Sequence, residues 1–104
     1  MSLIDEYFDY QDKFEAKYGI NTIVLMEVGS FFEIYGTDDV SDNKGRIREI
    51  CEVTALTMSK KKGQSKYSKK DYVFMAGFPN HSVEKWKDIL IKNNYVVIII
   101  EQDS

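Results

Sequence analysis

The segment Gly29-Ser30-Phe31-Phe32-Glu33-Ile34-Tyr35 sets an aromatic ring and a carboxylate two residues apart, directly after a Gly-Ser pair. Successive side chains along a β-strand point to opposite faces. Phe32 and Ile34 therefore share one face, which is apolar, and Phe31 and Glu33 share the other. An ionised Glu is seldom fully buried without a partner, so the second face is expected to be partly open. An aromatic ring at a hairpin tip with a carboxylate beside it is a usable probe for a flat base. The competing reading makes Phe31 one more core aromatic at the start of a strand.

Other residues offer less. Glu27, Glu33 and Lys44 could be imagined at one sheet end as the centre of a small metal-dependent nuclease, but two-metal chemistry needs clustered carboxylates, and their spacing does not supply them. His81 is the only histidine and Cys51 the only cysteine. A structural zinc site needs four ligands, mostly Cys and His, and none can be assembled from these. His81 is read as a loop-ordering hydrogen-bonding residue, Cys51 as a small hydrophobe and Trp86 as core. No Gly-x-x-x-x-Gly-Lys-Ser/Thr loop for nucleotide phosphates is present.

The elements that must position Phe31 and Glu33 follow from periodicity. Ile4, Tyr7, Phe8, Phe14 and Tyr18 fall at helical spacing, with Ser2 at the start and Gly19 at the end, which predicts a helix over 4–18. Residues 23–28 form a β-rich run, and Gly29-Ser30 is a two-residue turn into a second strand over 31–35. Ser41 to Val53 reads as a weaker helix, and Thr54 to Met58 as a short strand. A lysine-rich loop follows, then a strand over 72–76. Asn80 is the expected N-cap of a helix whose stripe is Val83, Trp86 and Leu90. Tyr95 to Ile100 is apolar throughout, as in a central strand covered on both faces. The prediction is an α/β domain with a mixed five-stranded sheet flanked by three helices, in the order α-β-β-α-β-β-α-β.

Composition bounds the rest. The chain has 104 residues, 43% hydrophobic and 13% aromatic, enough for one core. That excludes disorder, and a lone Cys excludes a disulfide scaffold and fits a reducing compartment. The longest apolar run is six residues, whereas a membrane helix needs about 20. The N-terminus has no basic-then-apolar signal pattern. A single intracellular domain with no membrane partner is expected. The net charge is -3, which by itself argues against a nucleic-acid binder. The charge is unevenly placed, however. Residues 59–70 hold six lysines (60, 61, 62, 66, 69 and 70) and no acid, leaving 8 basic residues against 17 acids elsewhere. Such a run is either a phosphate-contacting surface or a solvated loop.

Val28-Gly29-Ser30-Phe31-Phe32-Glu33-Ile34-Tyr35 resembles the segment that holds the Phe-x-Glu motif of the MutS family of DNA mismatch repair proteins. Met75-Ala76-Gly77-Phe78-Pro79-Asn80-His81 is similar to the family's Met-Ala-Gly-x-Pro-x-His stretch, and Glu101-Gln102 to the Glu-Gln that ends its last strand. The three landmarks occur in the family's order and spacing, from about Tyr7 onwards. The resemblance implies an N-terminal mismatch-recognition domain, spanning 1–104, of a larger protein that works as a homo- or heterodimer on double-stranded DNA. It implies that Phe31 wedges into the minor groove and stacks on a mispaired base, and that Glu33 hydrogen-bonds to that base. It also implies that Met75 approaches the DNA backbone. The family's ATPase, with its ATP and magnesium, lies in a distant C-terminal domain, so no cofactor and no catalysis are expected here. A paralogue that has lost DNA binding would lack Phe-x-Glu, which is intact.

Two departures stand out. Ser30 occupies a position where the family usually has Asp. The family's basic pair after the third strand would fall near Met58 and Ser59, whereas the charges here are displaced to Lys60, Lys61 and Lys62. These three are the loosely assigned candidates for phosphate contact. With the positive charge concentrated at residues 60–70, the domain alone is expected to bind DNA weakly and with a shallow salt slope.

Overall fold

Ser2 caps the first helix by accepting a hydrogen bond from the Asp5 backbone, and Gly19 ends it at a positive φ of 108°. The helix, α1, spans Leu3–Tyr18 in the computed structural model, which describes residues 2–37 and 44–103. Ile4, Tyr7 and Phe8 form its buried stripe, continued by Gln11 rather than by an apolar residue. The other elements are β1 (Thr22–Val28), β2 (Phe31–Gly36), α2 (Ile47–Thr54), β3 (Ser59–Lys62), β4 (Tyr72–Pro79), α3 (Val83–Lys92) and β5 (Val96–Ile100). Single 3-10 turns at Lys44–Arg46 and Asn80–Ser82 lead into α2 and α3. The predicted order of three helices and five strands is therefore the observed one. Among the described residues no helix is long and apolar enough to cross a membrane.

The sheet order is β3-β4-β2-β1-β5. The β1–β5 pair is parallel and the other three pairs are antiparallel. The Tyr7 ring lies 5.0 Å from that of Tyr35, which puts α1 on the face shared by Phe31, Glu33 and Tyr35. The opposite face, with Phe32, Ile34 and Phe78, is covered by α2 and α3, where Trp86 stacks 5.7 Å from Phe78.

Four expectations are corrected. The third strand is not 54–58: Thr54 ends α2, Ala55 turns the chain at a φ of 64°, and the strand forms at Ser59–Lys62. Pairing with β4 draws three lysines into an edge strand, where long charged side chains reach solvent. Residues 95–100 do not form a central strand: β5 is an edge, paired with β1 alone, and Val96 is exposed. Asn80 does not cap α3; its side chain turns back to Glu27. The second helix begins at Ile47, after a turn that Gly45 makes at a φ of 82°. A Cβ on Gly45 would lie 2.4 Å from the Tyr35 carbonyl oxygen, so glycine is required twice over. Residues 41–43 of that predicted helix lie outside the described residues.

Gly29 and Ser30 join β1 to β2 with Val28 paired to Phe31. Gly29 alone of the two has a positive φ, 62°, the pattern of a hairpin turn with Gly first. This turn is strapped from outside the hairpin. The Gln102 side chain accepts from the Gly29 amide at 3.1 Å and donates to the Gly29 carbonyl at 2.6 Å. The Asn80 amide donates to the Ser30 carbonyl at 2.8 Å. Glu27 ties the two straps together, accepting from the Gln102 amide at 3.2 Å and the Asn80 side chain at 3.1 Å.

The loop over 63–71 is docked on α1. Ser65 donates to Asp5 at 2.6 Å, the Lys66 amide donates to the same oxygen at 3.1 Å, and the Tyr67 hydroxyl donates to Asp9. Lys66 lies 3.3 Å from Asp9, and the Tyr67 ring meets Phe8 edge-on at 5.4 Å. The hydrogen bond from Ser65 holds Asp5 below the usual carboxylate range, and that from Tyr67 does the same for Asp9. The Tyr67 hydroxyl is in turn pushed up to about 12, chiefly by its bond to Asp9.

Two outcomes follow. Gln102→Ala removes both bonds to Gly29, so amide hydrogen exchange at Gly29 accelerates while the core strands stay protected, with a cost in unfolding free energy of about 1 kcal/mol. Unchanged exchange at Gly29 would show that the turn does not need its strap. Carboxylates whose values fall on folding stabilise the folded state above the ordinary Asp value of about 3.9 and lose that contribution as the pH drops through the lowered value. Hydrogen exchange over residues 63–71, followed from pH 6 downwards, therefore shows loop release below about pH 4 while the sheet remains protected. Loop and sheet losing protection together would refute the carboxylate latch.

Candidate nucleic-acid interface

β2 is hydrogen-bonded on both sides, residues 31–33 to β1 and 31–36 to β4. Its alternation is the predicted one. Phe32 and Ile34 are 3% and 0% exposed, whereas Phe31 is 46% exposed at the strand start. Phe31 is thus not a core aromatic, and it shares its face with Glu33.

The two residues line a cleft of about 280 Å³ together with Thr57, Ser59, Met75 and Gly77. Register places these groups: Glu33 is opposite Gly77, and Tyr35 and Ser59 flank Met75 on β4. Gly77 is needed for its lack of a side chain. A Cβ there would come within 2.8 Å of the Phe32 carbonyl oxygen and 3.6 Å of the Glu33 side chain. The cleft is open and has an aromatic ring at its rim, an apolar thioether on its wall and a carboxylate at its edge. Such a lining can stack on a flat group and hydrogen-bond to its edge.

Glu33 is partnered. Its Oε1 accepts from the Tyr35 hydroxyl and from Lys61 Nζ at 3.2 Å. Its side chain is 13% exposed and that of Lys61 27%, so the pair is largely shielded. Tyr35 is fully buried, and burial first, then the adjacent carboxylate, pushes its hydroxyl far above the usual tyrosine range. It is a donor at every working pH.

The three candidate lysines are divided by alternation on β3. Lys61 lies on the face of Phe31 and reaches Glu33. Lys60 and Lys62 are paired with Phe74 and Tyr72 and lie on the other face. Lys60 and Lys70 sit over the Tyr72 ring at 4.6 and 5.6 Å. The nuclease grouping does not assemble. Glu27 is paired with Phe32 and lies on the opposite face from Glu33, and Lys44 is bound to Asp12 at 2.6 Å. Among the described residues no group of three or more His, Cys, Asp or Glu could hold a metal ion. His81 is exposed, with Nδ1 3.4 Å from the Ser82 hydroxyl.

Sequence reasoning missed Tyr35 and Gln102 as parts of this site. Tyr35 could have been found, since it is two residues beyond Glu33 and must share its face. Gln102 had only its place in a short landmark to mark it, because its contact with Gly29 spans 73 residues.

The DNA mismatch repair protein MutS of Streptococcus gordonii is 35% identical over 94 residues, covering 90% of this chain and 9% of that protein. Its counterpart in Parabacteroides distasonis is 30% identical over 100 residues, covering 96% of this chain and 10% of that protein. A third, from Streptococcus sanguinis, is 32% identical over 94 residues, 90% of this chain and 9% of that protein. The chain thus spans about a tenth of the length of these relatives. The family described as MutS domain I matches residues 7–104, nearly the whole chain, and to that family this chain belongs.

Proposed function

We propose that this chain is the base-inspecting domain of a larger DNA mismatch repair protein and binds duplex DNA without catalysing a reaction. Phe31 enters the minor groove and stacks on a mispaired base, and Glu33 hydrogen-bonds to that base. The observation that carries this reading is a phenylalanine 46% exposed at a strapped hairpin tip, on the same face as a carboxylate. Membership of the MutS domain I family and relatives named DNA mismatch repair protein support it.

The energetics favour a mispair. An apolar wedge must unstack a base step, at a cost of a few kcal/mol. A mispaired step is already weakened, so the wedge enters there more cheaply, and stacking on the ring returns roughly 1–3 kcal/mol. The Glu33 carboxylate sharpens the choice. A matched duplex presents it with phosphates that repel it, whereas a kinked mispair presents a base edge with a donor. Met75, on the wall of the same cleft, approaches the DNA backbone, and Lys60 and Lys62 on the β3 edge contact phosphates. ATP hydrolysis, with its magnesium, and dimerisation belong to other domains of the larger protein.

The test is duplex binding by the full-length protein with and without Phe31→Ala. Loss of stacking reduces affinity for mismatched DNA by roughly 5- to 150-fold and leaves matched DNA nearly unaffected. An unchanged preference for mismatched DNA would sink this function. Glu33→Ala narrows the preference as well; an equal loss of affinity for matched and mismatched duplex would remove Glu33 from the reading.

A further inference from the structure

We propose that Tyr35 and Lys61 are positioning residues that fix the Glu33 carboxylate by one oxygen and leave the other to meet the base. This rests on the reading of Glu33 given above. Both donors converge on Oε1, the Tyr35 hydroxyl and Lys61 Nζ at 3.2 Å. Among the described residues no donor reaches Oε2. A terminal carboxylate torsion is broad and soft when free. Tethering Oε1 removes that freedom before DNA arrives, so binding need not order the group.

The tether is itself held. The Tyr35 ring is 0% exposed and packs 5.0 Å from Tyr7 on α1, which fixes where its hydroxyl lies. Lys61 Nζ lies over the same ring, 5.3 Å from its centre, as well as beside Glu33. Two independent elements, α1 through Tyr35 and the edge strand β3 through Lys61, thus converge on one atom. Lys61 thereby has a different task from Lys60 and Lys62, which lie on the opposite face. It orients an acid, whereas a lysine bound to phosphate adds affinity for any duplex.

The experiment measures matched and mismatched duplex affinity for the full-length protein carrying Tyr35→Phe, Lys61→Met or Lys61→Arg, each with Glu33 intact and with Glu33→Ala. Thermal unfolding confirms that each variant is folded. Tyr35→Phe deletes one hydroxyl, and Lys61→Met changes a partly exposed edge residue. Each lowers the preference for mismatched duplex roughly three- to tenfold with matched affinity unchanged, and neither has a further effect once Glu33 is Ala. Lys61→Arg restores the preference. If Lys61→Met weakens both duplexes equally and reduces the salt slope by about one, Lys61 is a phosphate contact and the proposal fails. If either effect persists in the Glu33→Ala background, the residue acts on the fold and the proposal also fails. If Glu33→Ala alone preserves the preference, this proposal and the base-contact role of Glu33 fall together. If Glu33→Ala impairs recognition while Tyr35→Phe and Lys61→Met do not, only the positioning role falls.

Discussion

The register of β2 is the constraint on which the rest of the site depends. Phe32 and Ile34 are buried against the helices of one face, each worth about 1.5–3 kcal/mol relative to exposure. A slip by one residue would move both off that packed face and put Phe31 and Glu33 in their place. Pairing to β1 on one side and β4 on the other makes such a slip break two ladders at once. The open face therefore inherits its geometry from the packed face. Phe31 can remain exposed, against its own hydrophobicity, because neighbours two atoms of backbone away are anchored elsewhere.

The base of the hairpin is held as firmly as its tip. Beyond Met26 and Glu33, β2 parts from β1 to follow β4, which leaves the first half of β1 without a strand on that side. Buried backbone groups left unpaired there would cost free energy comparable to a lost hydrogen bond. Side chains of α1 take the place of the missing strand. Gln11 donates to the Thr22 carbonyl at 2.6 Å and accepts from the Val24 amide at 3.0 Å, and the Tyr7 hydroxyl donates to the Val24 carbonyl at 2.8 Å. This explains why a glutamine is 1% exposed on an otherwise apolar stripe. The same Tyr7 supports the Tyr35 ring, so the seam that completes the sheet also sets the position of the hydroxyl beside Glu33.

What could be read from the sequence was governed by local periodicity. The alternation of β2, the Gly29-Ser30 turn, the amphipathic stripes of α1 and α3 and the element order all arise from neighbours within a few residues. The failures are long-range. The lysines of β3 carry no strand signal of their own, and they become a strand because β4 offers an open edge. The apolar run of β5 has the composition of a central strand, yet its position in the sheet is decided by which strands β1 and β2 choose. Asn80 has the side chain of an N-cap, but the Glu27 carboxylate 53 residues away competes for it and wins. That Phe31 and Glu33 share one face was legible because it depends on strand parity alone. Lys61 could not be separated from Lys60 and Lys62 until β3 had a register, since a charge run read as a loop assigns no faces.

That separation also alters the meaning of the charge map. A basic segment on an acidic body suggests an extended cationic surface, but folding brings the two together. Lys61 is bound to Glu33 and Lys66 to Asp9, and elsewhere Lys44 is bound to Asp12. Two of the segment's six lysines are thereby paired within the domain, and the exposed cations that remain, Lys60, Lys62, Lys69 and Lys70, cluster along the β3–β4 edge and its loop. A surface so compensated exerts little long-range pull on phosphates, which at physiological ionic strength would be screened beyond about 8 Å in any case. On the function proposed above, selectivity comes from contacts at van der Waals and hydrogen-bond distance. A rigid ring and an oriented carboxylate are suited to that, because neither contact has much value until the partner base is already in place. A strongly basic face would hold every duplex alike and blunt the difference between a paired and a mispaired step. The net charge of -3 is thus compatible with a domain that inspects DNA, provided that holding the duplex falls to other parts of the protein.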